Sequence, residues 1–283
     1  MHPIISFLSS QGGVGKTTLC VNIGYSLAKI FEKKVLLVDL SPCMGISHFF
    51  KNSISSVENI ESKFQLKSSL PTYLSKDLFS IQIGSKIEKN KGYLGYIQLD
   101  QIYIDQNNKI DINFTLSDFF IEFLNLNKDY IILIDTPSIP SSNSRLALIT
   151  SDYYITVIKP DHHCLLSLNC LINLQNRVNE FPSKRTMHSL GVIPNFKKRG
   201  IKNQDSINTQ KIIQSVKEIS TYKGNLFFDG FSENSAIMNS ISKSTNKSRY
   251  LCSFGSEKSK DSIKRINNEI VLISKSIIDN VKE

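Results

Sequence analysis

The sequence Ser10-Gln11-Gly12-Gly13-Val14-Gly15-Lys16-Thr17-Thr18 decides the fold, because its glycines and its Gly-Lys-Thr ending are typical of a loop that binds phosphate. It follows an apolar run over residues 4–8 and precedes apolar residues at helical spacing. The helical pattern comprises Leu19, Val21, Ile23, Leu27 and Ile30. This order predicts a strand, a phosphate-binding loop and a helix.

Each part of the loop has a chemical role in holding a nucleoside triphosphate. Glycines let the backbone N–H groups turn toward an anion, and the helix N-terminus adds partial positive charge at the same place. We expect Lys16 to reach the β- and γ-phosphates and the Thr17 hydroxyl to bind Mg²⁺. The predicted nucleotide-binding residues of the loop are Gly12, Gly13, Val14, Gly15, Lys16, Thr17 and Thr18.

The paired glycines resemble the deviant phosphate loop of the ParA/MinD family, written Lys-Gly-Gly-x-Gly-Lys-Thr. Ser10 stands where the standard phosphate loop has its first glycine. Gln11 replaces the family's first lysine, which reaches across a nucleotide-sandwiched dimer to the partner's phosphates. The resemblance implies ATP and Mg²⁺ as ligands. Because glutamine carries no charge, the transition-state stabilisation that a cation supplies is absent at this position.

Two apolar strands that end in aspartate extend the resemblance. The first runs from Val35 to Asp39, and Pro42 after it matches the family, whereas Ser41 replaces an aspartate linked to the attack of water. Residues 130–137 resemble the second acidic strand end. The resemblance implies that Asp39 and Asp135 belong to the Mg²⁺ shell with Thr17, and that both act in catalysis with Lys16.

Later segments of the chain also follow the family's order. Residues 153–158 and 188–195 resemble its next two strands, so the likeness spans about residues 3–245. Asn195 lies where the family has a segment near the adenine. It either reads the edge of the base or serves as a turn residue. The expected fold is α/β, with a mostly parallel sheet flanked by helices.

Composition predicts one cytoplasmic domain over residues 1–283. Strands and helices alternate without a Pro/Gly/Ser-rich linker along the 283 residues. The first strand begins almost at once, and no apolar run approaches the roughly 20 residues of a membrane span. The five cysteines lack a C-x-x-C pair, so we expect reduced thiols. Asp161 follows a predicted strand and is expected at the start of a helix.

Positive charge is concentrated in residues 184–265. This segment holds sixteen Lys or Arg and six Asp or Glu, whereas residues 1–183 hold sixteen of each. A basic surface binds a polyanion by neutralising phosphates, and no base-reading motif is present, so we expect non-specific DNA binding. An acidic protein partner, anionic lipid or a solvated face without a partner would fit the same charge.

The C-terminal segment 263–281 predicts an amphipathic helix. Its apolar stripe comprises Ile263, Ile266, Ile270, Ile273, Ile277 and Val281. MinD-type relatives end in a helix that lies on membranes. The polar face here mixes both signs of charge, which favours packing against the sheet or a second subunit over membrane attachment.

The leading interpretation is a cytoplasmic ParA-like ATPase that dimerises around ATP and partitions plasmid or chromosomal DNA. The resemblance implies a centromere-binding adaptor protein as its partner. Gln11 and Ser41 together support an alternative, in which the protein is a hydrolysis-deficient, ATP-dependent switch. A MinD-like membrane-associated positioning ATPase is the third alternative.

Overall fold

The computed structural model describes residues 3–41, 45–46, 78–81, 92–98, 130–161, 163–179, 187–195, 204–222 and 261–281. In these ranges the chain forms seven strands and five helices. The strands are β1 (Ile4–Leu8), β2 (Lys34–Asp39), β3 (Leu78–Ile81), β4 (Tyr93–Gln98), β5 (Tyr130–Asp135), β6 (Tyr153–Ile158) and β7 (His188–Pro194). The helices are α1 (Lys16–Lys29), α2 (Ser142–Thr150), α3 (Cys164–Asn179), α4 (Gln204–Tyr222) and α5 (Asp261–Asn280).

The seven strands form one sheet in the order β3-β4-β2-β5-β1-β6-β7. Neighbouring strands are parallel except for β3, which pairs antiparallel with β4. The predicted α/β fold with a mostly parallel sheet is therefore confirmed. From β1 the chain crosses to β2 on one side, and from β5 it crosses to β6 on the other. The phosphate loop thus lies at a switch point, where α/β sheets bind ligands.

Side chains of β1 alternate between the two faces of the sheet. Ile5 and Phe7 join the cluster that contains α1 and α5, whereas Leu8 joins the cluster beneath α2 and α3. All three side chains are fully buried. A central parallel strand covered on both faces explains why the sequence of β1 is an almost continuous apolar run.

Helix α5 packs against α1 through the predicted apolar stripe. Ile266, Ile270, Ile273 and Ile277 are each at most 2% exposed and lie in the same core cluster as α1, whereas Leu272 is 65% exposed. The helix therefore packs within its own chain, against α1 and in a core cluster that also contains strand residues. The stripe is an internal packing surface.

Some details of the fold differ from the sequence-based expectation. Ile30, placed by the pattern on the buried side of α1, is the C-terminal cap of the helix and is 46% exposed. Strands β3 and β4 were not predicted. The packing of β4 beside α1 requires Gly92, because a Cβ there would lie 1.7 Å from the Ala28 carbonyl oxygen. Residues 115–124, whose sequence pattern predicts a capped core helix, lie outside the described residues.

Among the described helices, none combines the length and apolar character that a membrane crossing requires. Of the cysteines in the described ranges, Cys20 and Cys164 are buried free thiols and Cys170 is an exposed one.

Candidate nucleotide-binding site

The phosphate loop joins β1 to α1 in the conformation that its glycines predict. Gly13 and Gly15 have φ angles of 67° and 88°, in the left-handed region that glycine adopts without strain. Gly15 immediately precedes α1, and no side chain caps the first turn, which contains no acidic residue. The first amide groups of α1 therefore present partial positive charge to the loop.

Lys16 is a buried ammonium with weak partners in its own chain. Its side chain is 7% exposed, and Nζ lies 3.4 Å from both the Gln11 carbonyl oxygen and Ser138 Oγ. Burial lowers the pKa of Lys16, and the nearby Asp135 carboxylate opposes that effect. A buried cation with long contacts to two neutral oxygens is well placed to gain from an anionic ligand.

Thr17 and Asp135 form the other polar pair of the site. Thr17 Oγ1 donates a hydrogen bond of 2.6 Å to Asp135 Oδ2, whereas the buried Asp135 Oδ1 has no hydrogen-bond partner among the described residues. Burial and the nearby Asp39 raise the pKa of Asp135 to about 7. Hydroxyl and carboxylate oxygens are ligands that Mg²⁺ prefers, so the orphaned oxygen and Thr17 fit that cation.

Asp39 holds the segment that follows β2. It pairs in register with Asp135 on β5, and its two carboxylate oxygens accept hydrogen bonds of 2.9 Å from the backbone N–H groups of Ser41 and Ile46. Gly45 of this segment contacts Thr17, since a Cβ there would lie 2.8 Å from Thr17 Cγ2. Asp39 thus supports the site through the backbone, and its place in a metal shell stays a prediction.

Gln11 is hydrogen-bonded at both ends of its side-chain amide. Nε2 donates to Asp161 Oδ1 at 2.9 Å, and Oε1 accepts from the backbone N–H of Lys159 at 3.2 Å. The backbone N–H of Gln11 donates to Ser9 Oγ at 3.1 Å. The residue that replaces the family's lysine therefore joins the phosphate loop to the segment after β6. Lys159 contributes its backbone here, while its side chain is exposed.

Asp161 also organises the start of α3, as its sequence position predicts. Its Oδ1 accepts from the backbone N–H of His163 at 3.0 Å, and its carbonyl oxygen accepts from the N–H of Cys164 at 3.2 Å. One carboxylate oxygen is thus shared between Gln11 and the N-terminal end of α3. This arrangement couples the position of the phosphate loop to that of the helix.

Asn195 supports the middle of the loop. Its side chain is 2% exposed, and Nδ2 donates to the Val14 carbonyl oxygen at 2.7 Å. Its backbone N–H donates to the Ile158 carbonyl oxygen at 2.8 Å, which continues the pairing of β6 with β7. Sequence reasoning missed this positioning role, and a contact of Asn195 with a base stays a prediction.

The carboxyl edge of the sheet brings most of the predicted site residues together. Gly12 to Thr18, Asp39, Asp135 and Asn195 meet around the loop, with Ser138 also beside it. Most of the basic segment 184–265 lies outside the described residues. In its described parts Lys211, Lys217, Lys264 and Arg265 are exposed.

The sequence matches a family described as AAA domain over residues 2–190. A similar protein is the virulence plasmid ParA family protein pGP5-D of Chlamydia trachomatis, 29% identical over 232 residues, which cover 80% of this chain and 78% of that protein. Another is the sporulation initiation inhibitor protein Soj of Bacillus subtilis, 31% identical over 175 residues, which cover 61% of this chain and 64% of Soj.

The fold matches solved structures over nearly the whole chain. The ATP complex of a McdA variant from Cyanothece superposes with a TM-score of 0.68 at 16% identity, covering 100% of this chain and 98% of that one. MinD in the Aquifex aeolicus MinC:MinD complex superposes with a TM-score of 0.64 at 20% identity, covering 99% and 97%. With the matched AAA domain, these similarities assign the chain to the ParA/MinD-like P-loop ATPase family.

Proposed function

We propose that this protein is a ParA-like ATPase that binds ATP with Mg²⁺, dimerises around it, binds DNA non-specifically and partitions plasmid or chromosomal DNA. The observation that carries the proposal is the buried Lys16 beside the Thr17–Asp135 pair at the mouth of the glycine loop. Similarity to pGP5-D, a virulence plasmid protein of the ParA family, supports a role of this chain on plasmid or chromosomal DNA. The implied partner is a centromere-binding adaptor protein, and the implied compartment is the cytoplasm.

The residues of the site divide the work of holding ATP. The backbone amides of the loop and Lys16 would bind phosphate oxygens, while Thr17 Oγ1 and Asp135 would hold Mg²⁺. When bound, Mg²⁺ supplies positive charge to the phosphates. The side chain of Asn195 keeps the loop in place and that of Asp39 keeps the neighbouring segment in place, each by hydrogen bonds to the backbone.

DNA binding is tested by fluorescence anisotropy of a labelled duplex at rising salt, with ATP or ADP. We expect binding with ATP and a steep loss of affinity with salt, because phosphate contacts release counterions. Lys197→Ala/Lys198→Ala should weaken binding and flatten the salt dependence. The matched control Lys29→Ala/Lys33→Ala removes two lysines outside the basic segment. It should leave the affinity for DNA and its salt dependence unchanged. A salt-independent affinity would contradict the DNA proposal.

A second function, that of a hydrolysis-deficient ATP-dependent switch, is favoured by the contacts of Gln11. Both polar atoms of its side-chain amide are engaged within the chain, by Asp161 and Lys159. Gln11 carries no charge where the family has lysine, and removal of such electrostatics costs on the order of 10²–10³ in rate. Tight ATP binding without turnover would establish the switch.

The membrane alternative receives less support from the structure. The apolar stripe of α5 is buried against α1, so the exposed surface of the helix carries charges of both signs together with Leu272. Sedimentation with anionic vesicles separates the alternatives. We expect the protein to stay in the supernatant with and without ATP.

A further inference from the structure

A cleft of about 300 Å³ lies between α2 and α3. Both helices cover the face of the sheet that carries Leu8, which is opposite to the face covered by α1 and α5. The side chains that line this α2–α3 cleft include Ile139, Arg145, Cys170, Asn173, Leu174 and Arg177. None of them belongs to the nucleotide-binding loop.

The charged side chains in the described lining of the cleft are both positive. The sequences of α2 and α3 contain two charged residues, Arg145 and Arg177, and no acidic residue. Both arginines are exposed, and neither forms an ion pair within the part of the chain that the structure describes. A guanidinium binds a carboxylate through two parallel hydrogen bonds, so two such groups at one cleft favour an acidic ligand.

Apolar surface lies between and beside the two arginines. Ile139 is buried at the cleft, Leu174 is half-buried, and most of the lining is apolar. Leu166 lies one turn before Cys170 on the same side of α3 and is 69% exposed. Protein interfaces that bind an amphipathic segment combine an apolar surface with arginines beside it, as this cleft does.

We propose that the α2–α3 cleft binds an acidic, amphipathic segment of a partner protein. Apolar side chains of that segment contact Ile139, Leu174 and Leu166, and its carboxylates contact Arg145 and Arg177. Duplex DNA fits this surface less well, because binding to phosphates depends on many cations, whereas the described lining of this cleft has two cations and is mostly apolar. The inference does not depend on ATP turnover or on DNA binding.

The test selects peptides from a phage-displayed random 12-residue library on the full chain. Arg145→Glu/Arg177→Glu serves for counter-selection, and thermal unfolding checks that each variant folds. Enriched peptides are synthesised with a fluorophore and titrated by anisotropy. Maleimide modification of the exposed Cys170, in a Cys43→Ser/Cys252→Ser background, reports whether a bound peptide covers the cleft.

We expect enriched peptides to combine Asp or Glu with large apolar residues and to slow the modification of Cys170. Arg145→Ala/Arg177→Ala should weaken their binding about tenfold or more, because each charge-assisted pair contributes substantially at an interface. Arg145→Lys/Arg177→Lys should weaken binding less, since charge remains but the fork geometry is lost. The matched control Lys211→Ala/Lys217→Ala removes two exposed cations of α4 and should change affinity less than about twofold.

Four results would overturn the proposal. The first is a selection with no enrichment over the counter-selecting variant, and the second is enrichment of peptides without acidic residues. The third is equal peptide affinity for the native chain and Arg145→Ala/Arg177→Ala. If a labelled duplex instead loses affinity for this variant, the cleft contacts nucleic acid and the proposed occupant is wrong.

Discussion

The two ends of the phosphate loop are held in different ways. At the Lys16 end, the ammonium has two long contacts and the neighbouring Asp135 keeps one buried oxygen without a partner in the described structure. At the Gln11 end, both polar atoms of the side-chain amide already have partners in the chain. Unsatisfied buried groups gain from a ligand, and satisfied groups do not. This difference supports the proposal that Lys16 binds the ligand, whereas the side-chain contacts of Gln11 position the loop.

The largest expected effect comes from Lys16→Ala. Removal of the buried ammonium should weaken ATP binding about 1,000-fold, since charge-assisted hydrogen bonds to phosphate are lost inside a partly enclosed loop. The measurement is the Kd of a fluorescent ATP analogue. Lys29→Ala, in the last turn of the same helix, is the control and should stay within about twofold. Similar ATP affinities for both variants would contradict the role of Lys16 in ligand binding.

Asp135→Asn tests whether the buried Asp135 carboxyl makes the free energy of unfolding depend on pH. Because burial and Asp39 raise the pKa of Asp135 from 3.8 to about 7, the folded state keeps its proton while the unfolded state ionises. The free energy of unfolding of the nucleotide-free protein therefore falls as pH rises from about 4 to 7. Above pH 7 this group causes no further decrease. The variant should remove this loss, so its free energy of unfolding should exceed that of the native chain by about 4 kcal/mol at pH 8.

Urea denaturation at pH 5 and pH 8 measures this difference. The stability advantage of Asp135→Asn over the native chain should be larger at pH 8. The same advantage at both pH values would mean that Asp135 titrates like an exposed carboxylate.

Gln11→Lys sharpens the comparison from the other end of the loop. Lysine at this position restores the family's charge, but Asp161 in the same chain would bind the new ammonium. We therefore expect a small rise in kcat for Gln11→Lys and about a tenfold rise for Gln11→Lys/Asp161→Asn, with KM changed little. Asp161→Asn alone is the control. Equal acceleration by the single and double variants would show that Asp161 does not restrain residue 11.

Asn195→Ala has the smallest expected effect. Loss of the hydrogen bond to the Val14 carbonyl should lower the free energy of unfolding by about 1–2 kcal/mol and weaken ATP binding a few-fold. Asn176→Ala, at an exposed position of α3, is the matched control. A change in the preference for ATP over GTP, without a change in stability, would assign Asn195 to base recognition instead.

Much of the fold follows from local patterns in the sequence. Apolar runs that end in Asp39 and Asp135 predicted β2 and β5, and the glycine loop predicted the start of α1. Strands β3 and β4 escaped prediction because they lie in a segment without a motif. Gly95 within β4 also breaks the apolar pattern, and β3 is four residues long.

The contacts that position the site could not be predicted from sequence. Gln11 and Asp161 are 150 residues apart, and Asn195 and Val14 are 181 apart, so no local pattern links either pair. Asp39 had a weak local signal, since an aspartate two residues before a serine is typical of a side chain that accepts a nearby backbone N–H. Because Asp39 ends a strand, the sequence suggested a metal ligand, and the hydrogen bonds of its carboxylate to the backbone were not predicted.

The most direct test of the central claim is steady-state ATP hydrolysis by the native chain and by Lys16→Ala, each with and without duplex DNA. If the Lys16 end binds ATP for turnover while Gln11 positions the loop, the native chain should hydrolyse ATP slowly, DNA should raise the rate, and Lys16→Ala should abolish it. Native turnover that equals the Lys16→Ala background with and without DNA would contradict the ATPase assignment.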